Sequence, residues 1–390
     1  MELTKKQEQG LKIAIERYKN NEKYTCIAGY AGSGKSTLVN FIISALSIKE
    51  EDVCFACFTG KAAQVLLKKG NKNVSTLHKL LYKSIPKPNG GFIRIPVPDV
   101  PYKVVIVDEV SMAPKTLMDL LFGYNTYVIC LGDPFQLPPI DKKEDNHLLD
   151  HPHIFLDEIM RQAMDSEIIR LSMDIRNGNP IEYSNGNEVI IVPKANLNTG
   201  MMQWADQILC ATNNTRVALN NQMRDLLERG DAPEDGDKVI CLKNYWGCIA
   251  ENEDPLVNGT IGYIKNSFSS FVLLPKFLGS NRLDVLQAEF ISDSGAEFGS
   301  LDMDKKMILT GQKCCDWKTE YKVNKNPKTA GIIPKEFTYG YAITTWKAQG
   351  SEWDKVLIIE EKFPFDREEH QRFLYTAITR ASQKVVLVRA

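Results

Sequence analysis

The fold is decided by one stretch of sequence, which reads Tyr24-Thr25-Cys26-Ile27-Ala28-Gly29-Tyr30-Ala31-Gly32-Ser33-Gly34-Lys35-Ser36-Thr37-Leu38. The apolar residues before the glycines predict a buried strand, and the apolar residues after them recur at helical spacing through residue 46. A strand, a glycine-rich loop and a helix in this order, with Gly-Lys-Ser at the loop's end, are typical of a phosphate-binding loop. A glycine-rich turn that binds nothing is the alternative, and the flanking strand and helix argue against it.

The residue types of this loop each have a chemical use. Glycines let successive backbone N–H groups and the helix N-terminus face one anion. Lys35 can reach the outer phosphates of a nucleotide, and the Ser36 hydroxyl can ligate Mg²⁺. The loop therefore predicts a nucleotide such as ATP together with Mg²⁺.

The bulk composition limits the size and the partners of the protein. A chain of 390 residues, 43% of them hydrophobic, is long enough for roughly two to four compact units. The formal net charge is −1, so the molecule as a whole has no basic field that attracts polyanions at long range. A bound nucleic acid is therefore expected to lie in a local channel.

Cysteine use and hydropathy predict the compartment. The nine cysteines are mostly isolated, which fits a reducing compartment, and Cys54 and Cys57 are expected to be buried strand residues rather than metal ligands. No apolar run approaches the roughly 20 residues of a membrane span, and the first residues do not open a signal peptide. We therefore expect a cytoplasmic protein with no membrane partner.

Two further predicted strands are followed by polar residues that could act on a nucleotide bound at the phosphate loop. The β-branched run at residues 104–107 predicts a strand buried on both faces, and it ends in Asp108 and Glu109. In a phosphate-loop enzyme Asp108 would support Mg²⁺, and Glu109 would orient or deprotonate the attacking water. Gln136 follows another apolar strand, where it could contact the γ-phosphate or that water. Strands that alternate with helices in this way predict a parallel sheet.

Polar residues near helix starts are weaker candidates. Gln7 lies on the first turn of a helix that Thr4 is expected to cap, and its amide suits the edge of adenine. The segments at 59–63 and 75–78 each begin a helix after a strand, so their hydroxyls could hold nucleic-acid phosphates. Ordinary helix capping by Thr59 and Ser75 is the alternative for these two segments.

Two segments interrupt the alternation of strands and helices. Residues 85–101 contain prolines and glycines around a short apolar run, which predicts a small hairpin. Residues 238–335 read as short strands, among them 259–264 and 271–274, with glycine and polar turns, which predicts a small β-barrel. After it, residues 337–343 predict one buried strand that resumes the second α/β unit. The first domain is expected to end near Gly178, which should cap a helix before Pro180. Residues 314–328 are charged and irregular and give no assignment.

The order of these segments resembles that of the superfamily 1 DNA helicases, and within them the RecD-like and bacteriophage Dda-like group of superfamily 1B. The matches run in family order from the first helix to the last, so they span nearly the whole chain. They are Gln7 and residues 29–37, 59–63, 75–78, 107–112, 132–133, 136–139, 161–162, 257–259, 347–352 and 375–380.

The resemblance implies an α/β fold of the P-loop NTPase kind, with two RecA-like parallel-sheet domains and ATP between them. It also implies a hairpin insert in the first domain and an SH3-like β-barrel insert in the second. Domain 1 would comprise residues 1–84 and 102–178, and domain 2 residues 179–237 and 336–390. The hairpin insert would be 85–101, and the barrel insert 238–335.

The resemblance also implies roles for individual residues. Those that would bind the nucleotide are Gln7, Gly29, Ala31, Gly32, Ser33, Gly34, Lys35, Ser36, Thr37, Gly350 and Glu352. Those that would take part in hydrolysis are Lys35, Asp108, Glu109, Gln136, Arg161 and Arg380, with Ser36 and Asp108 on Mg²⁺. Arg161 and Arg380 look like arginine fingers, which offset charge on the transferred phosphoryl group. For Arg380 the alternative is a helix-terminal arginine that complements the helix dipole.

The DNA strand would be held by residues from both domains. By family position they are Thr59, Lys61, Thr76, His78, Asn258, Thr345, Trp346 and Lys347. Trp346 stands where the family usually has histidine; an indole can stack on a base, but it could equally pack in the core. The hairpin resembles the family's strand-separating pin, with Phe92 as the residue that would abut the duplex fork.

The function that this resemblance implies is an ATP-dependent DNA helicase that moves 5′→3′ as a monomer and opens duplex at single-strand/double-strand junctions. A single-stranded-DNA-stimulated ATPase or translocase, part of a replication, recombination or repair complex with little unwinding of its own, is the alternative. A nucleotide-switched binding subunit and a motor on RNA are further alternatives.

Overall fold

The computed structural model describes residues 3–86, 92–138, 144–251, 255–276, 282–326, 329, 331–361 and 366–390. The chain divides into two compact units. The first unit comprises Met1–Leu81, Val97–Asn213 and Ile343–Ala390, and the second comprises Tyr82–Pro96 and Asn214–Ala342.

Strands and helices alternate through the first part of the chain, as the sequence pattern predicts. The elements are α1 (Lys5–Lys19), β1 (Tyr24–Gly29), α2 (Lys35–Ala45), β2 (Val53–Cys57), α3 (Gly60–Lys68), β3 (Val74–Thr76), α4 (Leu77–Leu81), β4 (Tyr82–Pro86), β5 (Phe92–Pro96), β6 (Val104–Val107), α5 (Lys115–Phe122), β7 (Tyr127–Gly132), β8 (Ile154–Leu156), α6 (Arg161–Met164) and α7 (Glu167–Asn177).

The rest of the chain is richer in strands. Its elements are β9 (Ser184–Asn185), β10 (Val189–Pro193), α8 (Thr199–Trp204), β11 (Gln207–Cys210), α9 (Asn213–Leu226), β12 (Lys238–Cys241), β13 (Tyr245–Ile249), β14 (Pro255–Leu256), β15 (Ile261–Leu273), β16 (Arg282–Ser292), β17 (Glu297–Asp304), α10 (Lys305–Thr310), α11 (Trp317–Lys325), β18 (Phe337–Tyr339), β19 (Ala342–Thr344), α12 (Thr345–Ala348), β20 (Trp353–Ile359), α13 (Arg367–Ile378) and β21 (Ala381–Arg389).

The first sheet of the first unit is parallel, in the order β3-β2-β6-β7-β1-β8. Strands β6 and β7 are buried along their whole length, and β1 is buried from its second residue onward, as expected for strands covered on both faces. Because parallel strands end at the same edge, the residues after β1, β6 and β7 share one edge of the sheet. The phosphate loop, Asp108 and Gln136 therefore start from neighbouring strand ends.

The second sheet of the first unit has the order β19-β11-β20-β21-β10-β9. Strands β11, β20, β21 and β10 pair in parallel, and β9 is an antiparallel edge strand. The last strand of the chain, β21, lies inside this sheet between β20 and β10. The prediction of two RecA-like α/β domains is confirmed at the level of these two sheets.

Local signals in the sequence set several helix ends. Thr4 accepts a hydrogen bond from the backbone N–H of Gln7, and the Gln7 side chain accepts one from the Thr4 N–H, which makes a complete capping box at the start of α1. Helix α7 ends at Gly178, whose φ of 72° is the left-handed conformation that glycine adopts without strain. Both caps were expected from the sequence.

The second unit contains the hairpin of β4 and β5 and an antiparallel sheet in the order β17-β16-β15-β12-β18. The strands are longer than the sequence pattern predicts. Two short strands were expected between residues 259 and 274, but β15 runs through them, with a register shift between Lys265 and Phe268. Asn266 lies at this shift and has a φ of 51°. The polar residues there therefore form a bulge within one strand and not a turn between two strands. The SH3-like form of this insert stays a prediction.

Two other segments differ from expectation. Residues 337–343 were expected to form one strand of the second sheet, but β18 pairs with β12 of the antiparallel sheet and only β19 joins β11. The unassigned stretch after residue 314 contains helix α11, which Asp316 caps through the Thr319 N–H. None of the helices in the described part of the chain has the length and apolar character that a membrane span needs.

Candidate functional site

The phosphate loop of the first unit is held open by two glycines with positive φ. Gly32 and Gly34 have φ values of 76° and 80°. A Cβ on Gly34 would lie 2.5 Å from the Gln7 amide nitrogen, so the close approach of these two residues requires glycine. The Lys35 ammonium donates to the carbonyls of Gly29 at 2.7 Å and Tyr30 at 3.1 Å. The lysine thus lies against the loop, where it can meet a phosphate.

One polar atom of the loop is buried without a partner. Ser33 is 2% exposed, and its hydroxyl has no hydrogen-bond partner among the described residues. A buried hydroxyl without a partner is costly, and a ligand that offered one would remove that cost. Ser36 is exposed on the first turn of α2, which begins at the loop. The loop is therefore suited to an anion.

The Gln7 side chain contacts the backbone of the phosphate loop. Its side chain is 1% exposed, and its amide nitrogen lies 3.3 Å from the Ser33 carbonyl and 3.5 Å from that of Gly34. Its amide oxygen accepts from the Thr4 N–H. Both ends of the amide are thus engaged by backbone, which ties α1 to the phosphate loop. An adenine contact by Gln7 stays a prediction.

The acidic pair after β6 stands at the same edge. Asp108 accepts a hydrogen bond from the Glu109 N–H at 2.9 Å, and Glu109 has a φ of 50°, a conformation uncommon outside glycine. Burial, and then the neighbouring Glu109 carboxylate, raise the pKa of Asp108, while Lys35 acts in the opposite direction. A cation at this carboxylate would offset its burial, so Asp108 and Ser36 fit the Mg²⁺ that the resemblance implies.

Arg380 brings the second sheet of the first unit to this acidic pair. Its side chain is 6% exposed, and its Nη1 lies 3.6 Å from Glu109 Oε1. With its amide nitrogen turned towards Glu109, Gln136 donates to Glu109 Oε2 at 3.3 Å and accepts from Arg380 Nη2 at 3.1 Å. Three residues that the resemblance implies for hydrolysis thus form one hydrogen-bonded group. Arg380 also donates to the backbone of its own helix, so the helix-terminal alternative describes part of its contacts.

Tyr375 makes a second link to the loop that sequence reasoning missed. Its hydroxyl accepts from the Ala31 N–H at 2.8 Å and donates to Asp133 Oδ2 at 2.5 Å. Asp133 also accepts from the Phe135 N–H. Burial, and then the Asp133 charge, raise the pKa of Tyr375, so the phenol stays protonated and can donate. In the sequence Tyr375 sits in an apolar helical run, so it looks like an ordinary core residue.

Arg176, a cationic residue of α7, also contacts the phosphate loop. The Arg176 guanidinium carbon lies 3.7 Å from the centre of the Tyr30 ring, a cation–π contact on a loop residue. Arg161, which begins α6, follows Met160, whose N–H donates to the Gly32 carbonyl at 3.0 Å. The Arg161 side chain lies outside the described residues, so its role as a finger stays a prediction.

Gly350 and Glu352, which the resemblance places near the nucleotide, lie against α3 instead of the loop in the contacts the structure gives. A Cβ on Gly350 would lie 3.1 Å from Ala62 Cβ and 3.3 Å from the Thr59 hydroxyl. Glu352 pairs with Lys69 at 3.0 Å on the exposed end of α3. The contact of Glu352 with a ribose stays a prediction.

Two of the three threonines proposed for DNA contact cap helices. Thr59 accepts from the Ala62 N–H at 3.2 Å, and Thr76, rather than Ser75, accepts from the Lys79 N–H at 3.2 Å. Capping and a phosphate contact are compatible, because a hydroxyl has two acceptor lone pairs and a donor. Thr345 is different. It is fully buried and donates to the Cys210 carbonyl, so the structure corrects its expected place on a DNA-facing surface.

The other DNA candidates are distributed over both units. In the first unit Lys347 is exposed, Trp346 is half-buried, and His78 packs on Phe58 with ring centres 5.7 Å apart. The Lys61 ammonium lies 5.9 Å from the Trp353 ring. Asn258, in the second unit, is exposed in the turn before β15, where its N–H donates to Asn244. The Phe92 side chain and the hairpin tip at 87–91 lie outside the described residues.

Two family models match parts of the chain that contribute to the two sheets of the first unit. Residues 2–190 match the AAA domain family, and residues 339–388 match the UvrD-like helicase C-terminal domain family. Each match contains one half of the site, with the phosphate loop in the first and Arg380 in the second.

Curated relatives share sequence with part or most of the chain. The chain is 32% identical over 190 residues to the ATP-dependent DNA helicase dda of Enterobacteria phage T4, a match that covers 45% of this chain and 43% of that protein. It is 27% identical over 386 residues to the ATP-dependent RecD2 DNA helicase of Deinococcus radiodurans, which covers 92% of this chain and 46% of that protein. The chain thus spans less than half the length of both relatives.

Solved structures share the fold. A Bacteroides Pif1 helicase in complex with ADP-AlF3 and single-stranded DNA matches with a TM-score of 0.53 at 18% identity, over 99% of this chain and 92% of that one. A Pif1 helicase at forked double-stranded DNA matches with a TM-score of 0.51 at 17% identity, over the same shares of the two chains. At this identity the likeness concerns the fold alone.

A P-loop NTPase with two RecA-like domains is the class of protein that this fold and this site define. In sequence the chain is similar to the RecD-like and Dda-like helicases among these relatives.

Proposed function

We propose that the protein is an ATP-dependent DNA helicase that moves 5′→3′ along single-stranded DNA and separates the duplex ahead of it. The observation that carries the proposal is the group of Glu109, Gln136 and Arg380, in which residues after two strands of the first sheet meet an arginine from the second. A residue that spans the two sheets can couple hydrolysis to their relative movement, which a motor needs.

The residues at the sheet edge suit hydrolysis of a nucleotide. Lys35 would bind the outer phosphates, Ser36 and Asp108 would hold Mg²⁺, and Glu109 would orient the attacking water and take its proton. Bound Mg²⁺ offsets negative charge on the phosphates. Water attacks the terminal phosphorus, the bond to the leaving ADP oxygen breaks, and inorganic phosphate is released.

Arg380 has two roles in this proposal. Its guanidinium pairs with Glu109 at 3.6 Å, so this carboxylate, the proposed base, is engaged by a cation. A nucleotide offers the same guanidinium a phosphate, and an arginine finger on the transferred group is worth about 10³-fold or more in rate. Movement of Arg380 from Glu109 to the phosphates both frees the base and stabilises the transition state. Hydrolysis is thereby tied to the position of α13, on whose C-terminal end Arg380 stands.

DNA is held in the proposal by backbone-directed contacts, which suit a motor that reads no sequence. Thr59, Lys61, Thr76, His78, Asn258, Trp346 and Lys347 remain the proposed contacts. Thr345 is left out because it is buried. A location in the cytoplasm follows from this proposed substrate, and action as a monomer is part of the same proposal.

The test is unwinding of labelled duplexes that carry either a 5′ or a 3′ single-stranded tail. We expect ATP-dependent opening of the 5′-tailed duplex only, and Lys35→Ala should abolish it while leaving the fold intact by circular dichroism. Opening of the 3′-tailed duplex alone would refute the direction. Hydrolysis stimulated by single-stranded DNA without opening of either duplex would support a translocase instead.

A second variant separates the helicase from that translocase. Phe92→Ala should reduce unwinding of the 5′-tailed duplex and leave DNA-stimulated hydrolysis unchanged if Phe92 abuts the fork. Tyr183→Ala, which truncates an exposed aromatic residue of the first unit, serves as the matched surface control. Equal unwinding by the Phe92 variant and the wild type would remove the hairpin from the mechanism.

A further inference from the structure

Helix α11 of the second unit exposes two aromatic side chains on one face. Trp317 is 69% exposed and Tyr321 is 60% exposed. They are four residues apart, so they are neighbours on the helix surface. The opposite face anchors the helix, because Val323 is fully buried in a cluster with Leu274 and Leu283. The rings are therefore held on a fixed element and contribute little to the core.

The same face is cationic. Lys318, Lys322 and Lys325 are exposed on α11. The Lys318 ammonium lies 6.0 Å from the Trp317 ring, and the Lys325 ammonium lies 6.0 Å from the Tyr321 ring. Each ring thus has a lysine beside it.

The acidic residue within the helix does not neutralise this face. Glu320 is engaged elsewhere, since it pairs with Lys243 and lies 3.5 Å from the Lys313 ammonium. Asp316, just before the helix, is occupied as its cap. The exposed face therefore presents flat rings and positive charge together.

Single-stranded DNA is the ligand whose chemistry matches both properties. Its unpaired bases offer π-faces to the rings, and its phosphates offer negative charge to the lysines. A duplex keeps its bases stacked internally, so it could use the lysines but not both rings. An acidic peptide would likewise leave the rings without a matching partner.

We propose that this face of α11 binds single-stranded DNA, with Trp317 and Tyr321 stacked on bases and the three lysines beside phosphates. The inference rests on the proposed function, because it adds a second place where the same strand is held. It gives a role to a segment whose sequence alone indicated none.

The test is binding of a fluorescein-labelled oligothymidylate to the full chain, measured by fluorescence anisotropy without nucleotide. Replacing both rings, Trp317→Ala with Tyr321→Ala, should weaken binding at least about 30-fold, because each of the two stacked bases contributes roughly 1–3 kcal/mol. The aromatic-preserving pair, Trp317→Phe with Tyr321→Phe, should restore most of the affinity. Tyr183→Ala, an equally exposed tyrosine of the first unit, should stay within about twofold of the wild type.

The lysines have a separate readout. Replacing Lys318, Lys322 and Lys325 by Gln should lower the slope of log K against log salt by about 2, since each phosphate contact to a single strand contributes roughly 0.7. Circular dichroism and thermal melting of each variant check the fold.

The outcomes distinguish this inference from the proposed function. If the wild type binds and unwinds DNA while the double alanine variant retains its affinity, the α11 proposal is overturned and the helicase proposal stands. If the wild type binds no single-stranded DNA, both are overturned. Loss of affinity in the alanine variant with rescue by the phenylalanine variant supports the stacking surface.

Discussion

Replacement of Tyr375 by Phe tests the link between α13 and the phosphate loop. The change removes only the hydroxyl, which bridges the Ala31 N–H and the Asp133 carboxylate. Both groups then lose a partner at a buried position, and a buried donor or acceptor left unsatisfied costs about 1–3 kcal/mol. We expect Tyr375→Phe to destabilise the first unit by about that amount. For a unit of this size, each kcal/mol lowers the melting temperature by about 2–4 °C.

The loss of stability in Tyr375→Phe should depend on pH in a defined direction. Burial raises the pKa of Asp133, while Lys35 and the Tyr375 hydrogen bond lower it. A carboxyl group whose pKa is higher in the folded than in the unfolded state does not lower the free energy of unfolding in acid. It lowers that free energy increasingly as pH rises through the folded pKa. Loss of the Tyr375 donor raises that folded pKa further. The deficit of Tyr375→Phe should therefore be larger at pH 7 than near pH 4.

The assay is thermal melting at several pH values, with Tyr339→Phe as the matched control. Tyr339 is also a buried tyrosine, but its hydroxyl has no hydrogen-bond partner among the described residues, so its removal should change stability by less than about 0.5 kcal/mol. Equal effects of the two variants, or a Tyr375→Phe deficit that shrinks towards neutral pH, would refute the reasoning.

Three further predictions concern the same unit. Arg380→Lys keeps the charge but loses the planar fork, so kcat for ATP hydrolysis should fall at least about 100-fold with little change in the KM for ATP, measured by phosphate release; an unchanged kcat would remove Arg380 from catalysis. Gly34→Ala should abolish nucleotide binding in a fluorescent-ADP assay, because φ is 80° and the new Cβ would lie 2.5 Å from the Gln7 amide. Glu167 accepts from the N–H groups of Glu188 at 2.9 Å and Val189 at 3.0 Å, and these bonds lower its pKa. Glu167→Gln should therefore lower the melting temperature at pH 7, and the difference should shrink as pH falls from the ordinary value of 4.5 through the lowered folded pKa; a constant difference would contradict this.

The gathering of candidate site residues at one edge of the first sheet was predictable from the sequence. The phosphate loop, the acidic pair after β6 and Gln136 all follow strands with unbroken apolar runs, and parallel strands bring such ends to one edge. Strand pairing over long distances was not predictable in detail. Residues 337–343 are uniformly apolar or small, so nothing in their pattern separates β18, which pairs with β12, from β19.

Side-chain roles that depend on tertiary packing were the least predictable. Tyr375 lies among apolar neighbours on α13, and only the packing of that helix shows that its hydroxyl reaches the loop. Thr345 shows the converse, because a threonine at a helix start suggests a surface role, whereas the packing of α12 on β11 buries it. The sequence gives residue type and spacing, but not which face of a helix its neighbours will cover.

The interior position of β21 has a consequence for synthesis on the ribosome. All strands of the first sheet emerge before residue 157, so that sheet can form while later residues are still being translated. Strand β10 emerges soon afterwards, but its parallel neighbour β21 follows only after the whole of Asn214–Ala342 has been made. During that interval the edge of β10 that later pairs with β21 is unpaired. An unpaired apolar strand edge is a place where a chaperone can bind. A chain whose translation stopped at this stage would keep that edge exposed and would be prone to aggregate.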